Sequence, residues 1–418
     1  MHANTGELIL TLNAGSSSIK FAVYAVGADA DDPRADPALR AKGQVEGIGT
    51  RPHFVAKSTD GQVLSESWWE SAADGTGSGS GSGSGHARAF QQIWSWLADF
   101  ADGGRIMAVG HRVAHGGEAY SRPVLITPEI TRVLTGLIPL VPLHQPNNLA
   151  AIRAVAADHP DLPQVACFDT GFHRGRALVT EQLGLPRALL ARGVRRYGFH
   201  GLSYEYIVEK LREIAPDVAD KRVIVAHLGS GCSMTAIRGG QSIDTTMGFS
   251  ALDGVPMGTR PGALDPGVLL FLMREDGLGV EALETLLYKQ SGLLGLSGVS
   301  NDLRALHQSD DPGAAEAIDY FVYRIGQTLG ALTASLGGLD ALVFTAGVGE
   351  NDADIRERVC ADAGWLGIEL DLERNAAGRF GDGARISRDD GLRPEVWVIP
   401  TDEERMIARH TLRVVRGA

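Results

Sequence analysis

The chain has 418 residues, 44% of them apolar and 22% charged, the balance of a globular protein in water and enough length for two cores. Its formal net charge of −12 argues against a nucleic-acid backbone as partner, and no apolar run reaches membrane-spanning length, the Pro-interrupted stretch 133–143 being too short. Three widely spaced cysteines, Cys167, Cys232 and Cys360, make no disulfide framework, and the first residues lack the pattern of a secretory signal, so the expected location is the cytoplasm.

In chain order, the first patterned stretch is ELILTLNAGSSSIKFAVYAV, 7–26. Leu8, Ile9, Leu10 and Leu12 read as a buried strand, Ala14 to Ser18 as a Gly/Ser turn, and Ile19, Phe21 and Val23 as a second strand. The predicted hairpin carries Asn13 at the mouth of its turn and Lys20 just beyond it. Gly15 allows a tight backbone, Ser16, Ser17 and Ser18 offer hydroxyl donors, and Lys20 offers a point charge, a set that suits a phosphate. An acidic, turn-rich segment follows at 27–36, and 62–69 reads as another strand. The tract GTGSGSGSGSG, 75–85, has nothing to bury and predicts a flexible surface loop rather than a domain boundary. Phe90, Ile93, Trp94 and Leu97 then recur at helical spacing, with Trp96 off that stripe and unplaced.

VGHRVAHGG, 109–117, ends a predicted strand and sets Arg112 among glycines, where a cation suits an anion. PLHQPNN, 142–148, reads as a loop entering a helix capped by Asn147 or Asn148, with His144 ahead of it. VACFD, 165–169, is a short strand ending in Asp169, either a ligand-facing acid or a helix cap. His200 lies between Phe199 and Gly201, where an imidazole could act on charge or simply fill the core. At 222 the opening pattern returns: VIVAHLG is apolar, Ser230 to Ser233 is a Gly/Ser turn, and Met234 to Ile237 opens a second strand. This internal repeat predicts two domains of similar construction facing a shared cleft. In the Gly-rich stretch 244–265, Arg260 reads as presented rather than packed. Helical stretches follow, including 314–336. LVFTAGVGEN, 342–351, reads as a strand, a Gly turn and a helix start, and the chain closes with a strand, the acids Asp402, Glu403 and Glu404, and a last helix.

There is no Walker-type phosphate loop and no paired Cys or His spacing for zinc. Two Gly/Ser hairpins, a third Gly-rich segment, strand-end carboxylates and separate arginines are a collection for phosphoryl transfer. The blocks LTLNAGSSSIK, GHRVAHGGE, PLHQPNN, FDTGFH, YGFHG, HLGSGCSMTAI, MGTRPGALDP, SGLLGLSGVSNDLR, FTAGVGEN and PTDEE, in that order from Leu8 to Arg409, resemble the acetate kinase family. The resemblance implies an α/β chain of two duplicated actin-like domains, of the acetate and sugar kinase, heat-shock chaperone and actin superfamily, with a central cleft. The expected divisions are 1–170 plus 404–418, and 171–403 for nucleotide binding. It further implies ATP and acetate as small-molecule substrates, Mg2+ (or Mn2+) as cofactor, a homodimer, and acetyl phosphate as a route to acetyl-CoA.

By motif, Asn13 and Glu403 match the family's metal site. Ser16, Ser18, Lys20, His227, Leu228, Gly229, Ser230, Gly231, Asp302, Leu303, Arg304, Gly347, Val348, Gly349, Glu350 and Asn351 match ATP contacts. Arg112 matches the acyl-substrate residue and Asp169 the catalytic acid; His200 and Arg260 match transition-state stabilisers, and His144 a nearby residue of the cleft. Ala114, Leu143, Phe199 and Ala251 match the pocket for the substrate methyl, with Ala where the family commonly has Val and Pro. Ser230 and Asp402 stand where the family often has Asn. Two rivals stay open: a kinase of propionate or a longer acid, and an ATP-driven binding protein of the actin and chaperone type, which gives Arg112, His200 and Arg260 no role.

Overall fold

The computed structural model describes residues 6–27, 36–70, 82–101, 104–389, 391 and 394–417. The chain divides into two compact units, 1–171 with 402–418, and 172–401.

Unit 1 is built on an eight-stranded sheet whose order is β5-β4-β3-β2-β1-β6-β8-β7. Its strands are β1 (Glu7–Ala14), β2 (Ile19–Ala25), β3 (Ala38–Glu46), β4 (His53–Ser58), β5 (Val63–Trp68), β6 (Arg105–Val113), β7 (Val124–Leu125) and β8 (Gln164–Phe168). β1 and β2 pair antiparallel with Asn13 opposite Lys20, while β1, β6 and β8 run parallel. The apolar run of β1 is buried on both faces because helices cover both. Leu8, Leu10 and Leu12 pack towards Phe90, Ile93 and Leu97 of the helix Ser82–Phe100. Ile9, with Ala22 and Tyr24 of β2, packs on Ala408 and Leu412 of the C-terminal helix Glu403–Arg416. Glu403 therefore opens a helix of unit 1, whereas the sequence boundary at 403/404 had put it in the second half.

One local expectation for unit 1 is corrected, and one residue left unplaced finds its setting. Ser82–Gly85, the end of the Gly/Ser tract, is the first turn of a helix rather than loop, and 75–81 lie outside the described residues. A Cβ on Gly85 would stand 3.1 Å from Ile48 Cγ2, so glycine lets this turn dock closely; the next residue, His86, is buried with Nε2 2.9 Å from the Gly15 carbonyl oxygen. Trp96, off the helical stripe, is buried against Phe21, Phe54 and Phe100, with centroids 4.7–6.0 Å away. Aromatic partners from β2 and β4 give it a second face of core that periodicity does not foretell.

Unit 2 carries a six-stranded sheet, β11-β10-β9-β12-β14-β13. Here β9 is Arg222–Leu228, β10 Cys232–Arg238, β11 Gln241–Thr245, β12 Ala341–Thr345, β13 Ala384–Arg385 and β14 Glu395–Val398. The run β11-β10-β9-β12-β14 repeats β3-β2-β1-β6-β8: three antiparallel strands followed by two parallel ones. The predicted repeat is thus a repeat of topology, and the fold is the duplicated actin-like α/β fold. The helix Pro312–Leu336 packs on this sheet, started by Asp311, whose side chain accepts from the Gly313 N–H, and stopped by Gly337 at φ 72°.

The segment after β12 differs from its expectation. No Gly turn separates strand from helix: Gly347 and Gly349 lie inside the short helix Ala346–Asn351. The chain changes direction at Ala346, which takes φ 66°, a left-handed conformation costing a non-glycine residue roughly 1–3 kcal/mol.

Candidate active site

In unit 1 the ends of β1, β6 and β8 bring Asn13, Arg112 and Asp169 together. Arg112 Nε lies 3.0 Å from each Asp169 carboxylate oxygen and Nη2 lies 2.6 Å from Oδ2. Arg112 Nη1 donates to Asn13 Oδ1 at 3.3 Å, and Glu403 Oε2 stands 3.7 Å from Nε. Asp169 is 2% exposed and does not cap a helix; it spends its carboxylate on Arg112. The fork edge of Arg112 is accordingly committed to Asp169, which leaves the Nη1 side as the one turned to Asn13.

Charge in this corner is strongly perturbed. Burial lifts the Asp169 carboxyl above its usual range, against the pull of Arg112. Burial opposes charge on Arg112 as well, but the Asp169 and Glu403 carboxylates outweigh it and hold the guanidinium ionised. Glu404 is raised by burial and by Glu403, with Lys20 pulling the other way. Tyr24 is raised far above its ordinary value by burial and by Asp402. Asp169, Asp402, Glu403 and Glu404 thus outnumber Arg112 and Lys20. An oxygen-donor set with surplus negative charge fits a hard divalent cation.

Asp402 is the N-cap of the C-terminal helix, its side chain accepting from the Arg405 N–H at 3.0 Å. Asp and Asn cap comparably, so the departure from Asn keeps the local structure. The helix Gln145–Asp158 is not capped by Asn147 or Asn148 but entered at His144, with Pro146 in its first turn. Asn148 is buried and ties β6 to β1: its Oδ1 accepts from the Ala114 N–H and its Nδ2 donates to the Ala14 carbonyl. Ala114 is buried, and Leu143 and His144 are half-buried.

In unit 2 the β9–β10 turn is the centre. His200 holds φ 58° at the head of the helix Gly201–Ile214 and stacks on His227 with ring centroids 4.1 Å apart. Arg260 is held rather than simply presented: Nη1 donates to the Ala251 carbonyl at 2.8 Å, and a Cβ on Gly231 would meet Nη2 at 2.6 Å and His200 Nε2 at 3.5 Å. With glycine here the turn leaves both tips in place, whereas a Cβ would push the Arg260 guanidinium aside. Burial lowers Arg260 from its ordinary value, so its charge is poorly solvated and available to an anion. Phe199 and Ala251 are buried, and burial pushes the Cys232 thiol, 3.1 Å from the Gly229 carbonyl, up to about 12.

A cavity of about 660 Å³ opens beside this turn, lined by Gly229, Ser230, Asp302, Leu303, Arg304, Gly347, Val348 and Asn351 from the sequence-predicted set. His227, Leu228, Gly231, Gly349 and Glu350 are not among its lining: Leu228 is core, the Gly349 carbonyl accepts from buried Arg356, and Glu350 Oε1 accepts from the Thr401 N–H. Sequence reasoning missed Leu293, Asn301, His307, Phe321, Asp352 and Ala353. Asn301 adjoins Asp302 and could have been read with it, whereas Phe321 is one apolar residue of a long amphipathic helix and carries no local signal. His307, Asp352 and Asp354 also gather within metal-ligand reach, but His307 is bonded to Asp352, which caps the helix Ala353–Asp362. Ser16, Ser18 and Lys20 lie at the β1–β2 turn of unit 1.

The family model for the acetokinase family matches residues 8–409. An acetate kinase of Rhodopseudomonas palustris is 49% identical over 412 residues, 98% of this chain and 99% of that protein. The structure of Porphyromonas gingivalis acetate kinase superposes with a TM-score of 0.82 at 38% identity, covering 98% and 100% of the two chains. A propionate kinase from Francisella tularensis superposes with a TM-score of 0.85 at 34% identity, with the same coverage. Among the described residues no helix is long and apolar enough to cross a membrane.

Proposed function

The chain belongs to the acetokinase family, and from that premise we propose that it transfers the γ-phosphoryl group of ATP to acetate, reversibly, giving acetyl phosphate and ADP. The observation that carries this is the near-half identity to an acetate kinase along 98% of the chain. Acetate is ionised at neutral pH, so no strong base is required. The barrier is the approach of one anion to another, which positioned cations lower.

Unit 2 holds the nucleotide in the 660 Å³ cavity, with Leu293, Leu303, Phe321 and Val348 against the base and the Gly229–Gly231 turn towards the phosphates. Arg260 and His200 offer donors to the oxygens of the transferred group. In unit 1, Arg112 neutralises the acetate carboxylate, and Asp169 acts by fixing the Arg112 fork rather than by taking a proton. Ser16, Ser18 and Lys20 serve phosphate oxygens, and His144 stands ready beside the substrate. Asn13 and Glu403 hold Mg2+, or Mn2+ in its place, which neutralises phosphate charge when bound. By family motif, Ala114 and Leu143 of unit 1, and Phe199 and Ala251 of unit 2, are the residues assigned to the substrate methyl.

A homodimer is supported by the helix Pro266–Glu275, which has no buried residue although Val268, Leu270, Phe271 and Met273 are 40–59% exposed. Three buried free cysteines agree with the cytoplasm. A second reading, propionate as a comparable substrate, draws on the two alanines of the methyl pocket and on the likeness to a propionate kinase. Measuring kcat/KM for acetate, propionate and butyrate with ATP and magnesium tests both. Acetate first or level with propionate is expected; rejection of all three acids overturns the assignment.

A further inference from the structure

His200 is held by a chain of two hydroxyl contacts. Its Nδ1 lies 2.8 Å from Ser233 Oγ, and the same Oγ lies 2.5 Å from the hydroxyl of Tyr204, four residues along the helix that His200 heads. Ser233, on β10, and Tyr204 are both wholly buried. Ser233 has one proton to give and lone pairs to accept with. The phenol, being the more acidic hydroxyl, is the better donor of the two, and its contact is the shorter. The Tyr204 hydroxyl also meets the Thr235 side chain, and when the phenol donates to Ser233 Oγ the Ser233 O–H is the proton left for His200 Nδ1. A nitrogen that accepts at Nδ1 carries its hydrogen at Nε2.

The partner ring is set in the same way. His227 Nδ1 meets Ser203 Oγ at 2.9 Å, and Ser203 Oγ meets Thr401 Oγ1 at 2.8 Å. The two imidazoles lie face to face, 17° from parallel, and the Arg260 guanidinium stands beside the same glycine as His200 Nε2. A positive charge on His200 would stand beside the Arg260 guanidinium, and charging both stacked rings would set like charges face to face, each a repulsion that the neutral ring avoids.

We propose that Ser233 and Tyr204 are positioning residues that lock His200 as the neutral tautomer with its hydrogen on Nε2, so that it meets the transferred phosphoryl group as a hydrogen-bond donor without being a cation. The functional half of this rests on the phosphoryl-transfer reading above. The opposite order, with Nδ1 donating to Ser233, would turn a lone pair towards the phosphate and repel it.

The test has two arms. In wild-type protein labelled with 15N-histidine, long-range 1H–15N correlation reads the tautomer of each ring, and His200→Gln identifies the His200 signals. An Nδ1 of acceptor type with a protonated Nε2 is expected; a protonated Nδ1 overturns the proposal. This arm is independent of activity, so it stands even if the acyl kinase assignment fails. In the kinetic arm, Ser233→Ala lowers kcat about tenfold or more while leaving KM for ATP and acetate within about twofold, as loss of orientation rather than of binding does. Ser233→Thr, which keeps the hydroxyl, restores most of the loss, and Tyr204→Phe yields a mixed tautomer signal with a smaller drop in kcat. Wild-type kcat in Ser233→Ala, or failure of Ser233→Thr to recover while both variants fold, refutes the positioning role.

Discussion

Gly231→Ala is a small change with a large expected effect. The added Cβ would lie 2.6 Å from Arg260 Nη2 and 3.5 Å from His200 Nε2. Ordinary contact begins near 3.5 Å, so the guanidinium must retreat by about 1 Å. It then pulls away from the Ala251 carbonyl that anchors it at 2.8 Å. A misplacement of about 1 Å at a reacting centre costs on the order of a hundredfold, or roughly 2.7 kcal/mol of barrier. The fold should tolerate the change, because the atom that must move is the far end of a long, flexible side chain and Gly231 is not in the left-handed region. Steady-state kcat for acetyl phosphate formation should fall on the order of a hundredfold while the melting temperature stays within a few degrees. Arg260→Ala should lose about two or more orders of magnitude by itself. In that background Gly231→Ala should cost little more, because both changes remove one interaction. Full additivity of the two changes, or wild-type kcat in Gly231→Ala, would refute the placement of Arg260 at this turn.

Arg260→Lys keeps the charge but loses the planar fork, and its kcat should remain at least about tenfold below wild type. Ala114→Val should shift the acid preference towards acetate, each methylene in an apolar pocket being worth about 1–3 kcal/mol; an unchanged ratio of kcat/KM for acetate and propionate would show that Ala114 does not line the pocket. Removing divalent metal with chelator should abolish turnover and added magnesium restore it, whereas full activity in chelator would remove Asn13 and Glu403 from a metal site. Arg356→Ala should destabilise the fold by about 3 kcal/mol in urea unfolding, since it leaves the buried Asn375 side-chain and backbone oxygens and the Gly349 carbonyl without their donor, and a loss within about 0.5 kcal/mol would contradict this.

What the sequence made legible was the local and the periodic. The β1–β2 hairpin, its echo at β9–β10 and the long helix 312–336 follow from apolar alternation, Gly/Ser turns and caps, each a property of neighbours in the chain. What stayed hidden depends on residues far apart. Trp96 has no stripe to belong to until β2 and β4 bring Phe21 and Phe54 to it. The glycines of 346–351 read as a turn because the strain is taken by Ala346, a residue type that rarely bears it. The commitment of Arg112 to Asp169 joins two strands 57 positions apart, and nothing local to either residue declares it. Phe321 and His307 reach the 660 Å³ cavity of unit 2 only through the packing of their helices.

The most direct measurement incubates the full chain with ATP, magnesium and acetate in hydroxylamine and compares ADP formed with acetyl hydroxamate trapped. One hydroxamate per ADP, with both dependent on acetate, is the result that direct phosphoryl transfer to the carboxylate requires. ADP and free phosphate released without hydroxamate, at a rate indifferent to acetate, would contradict it and place the chain with the ATP-driven binding proteins of its fold.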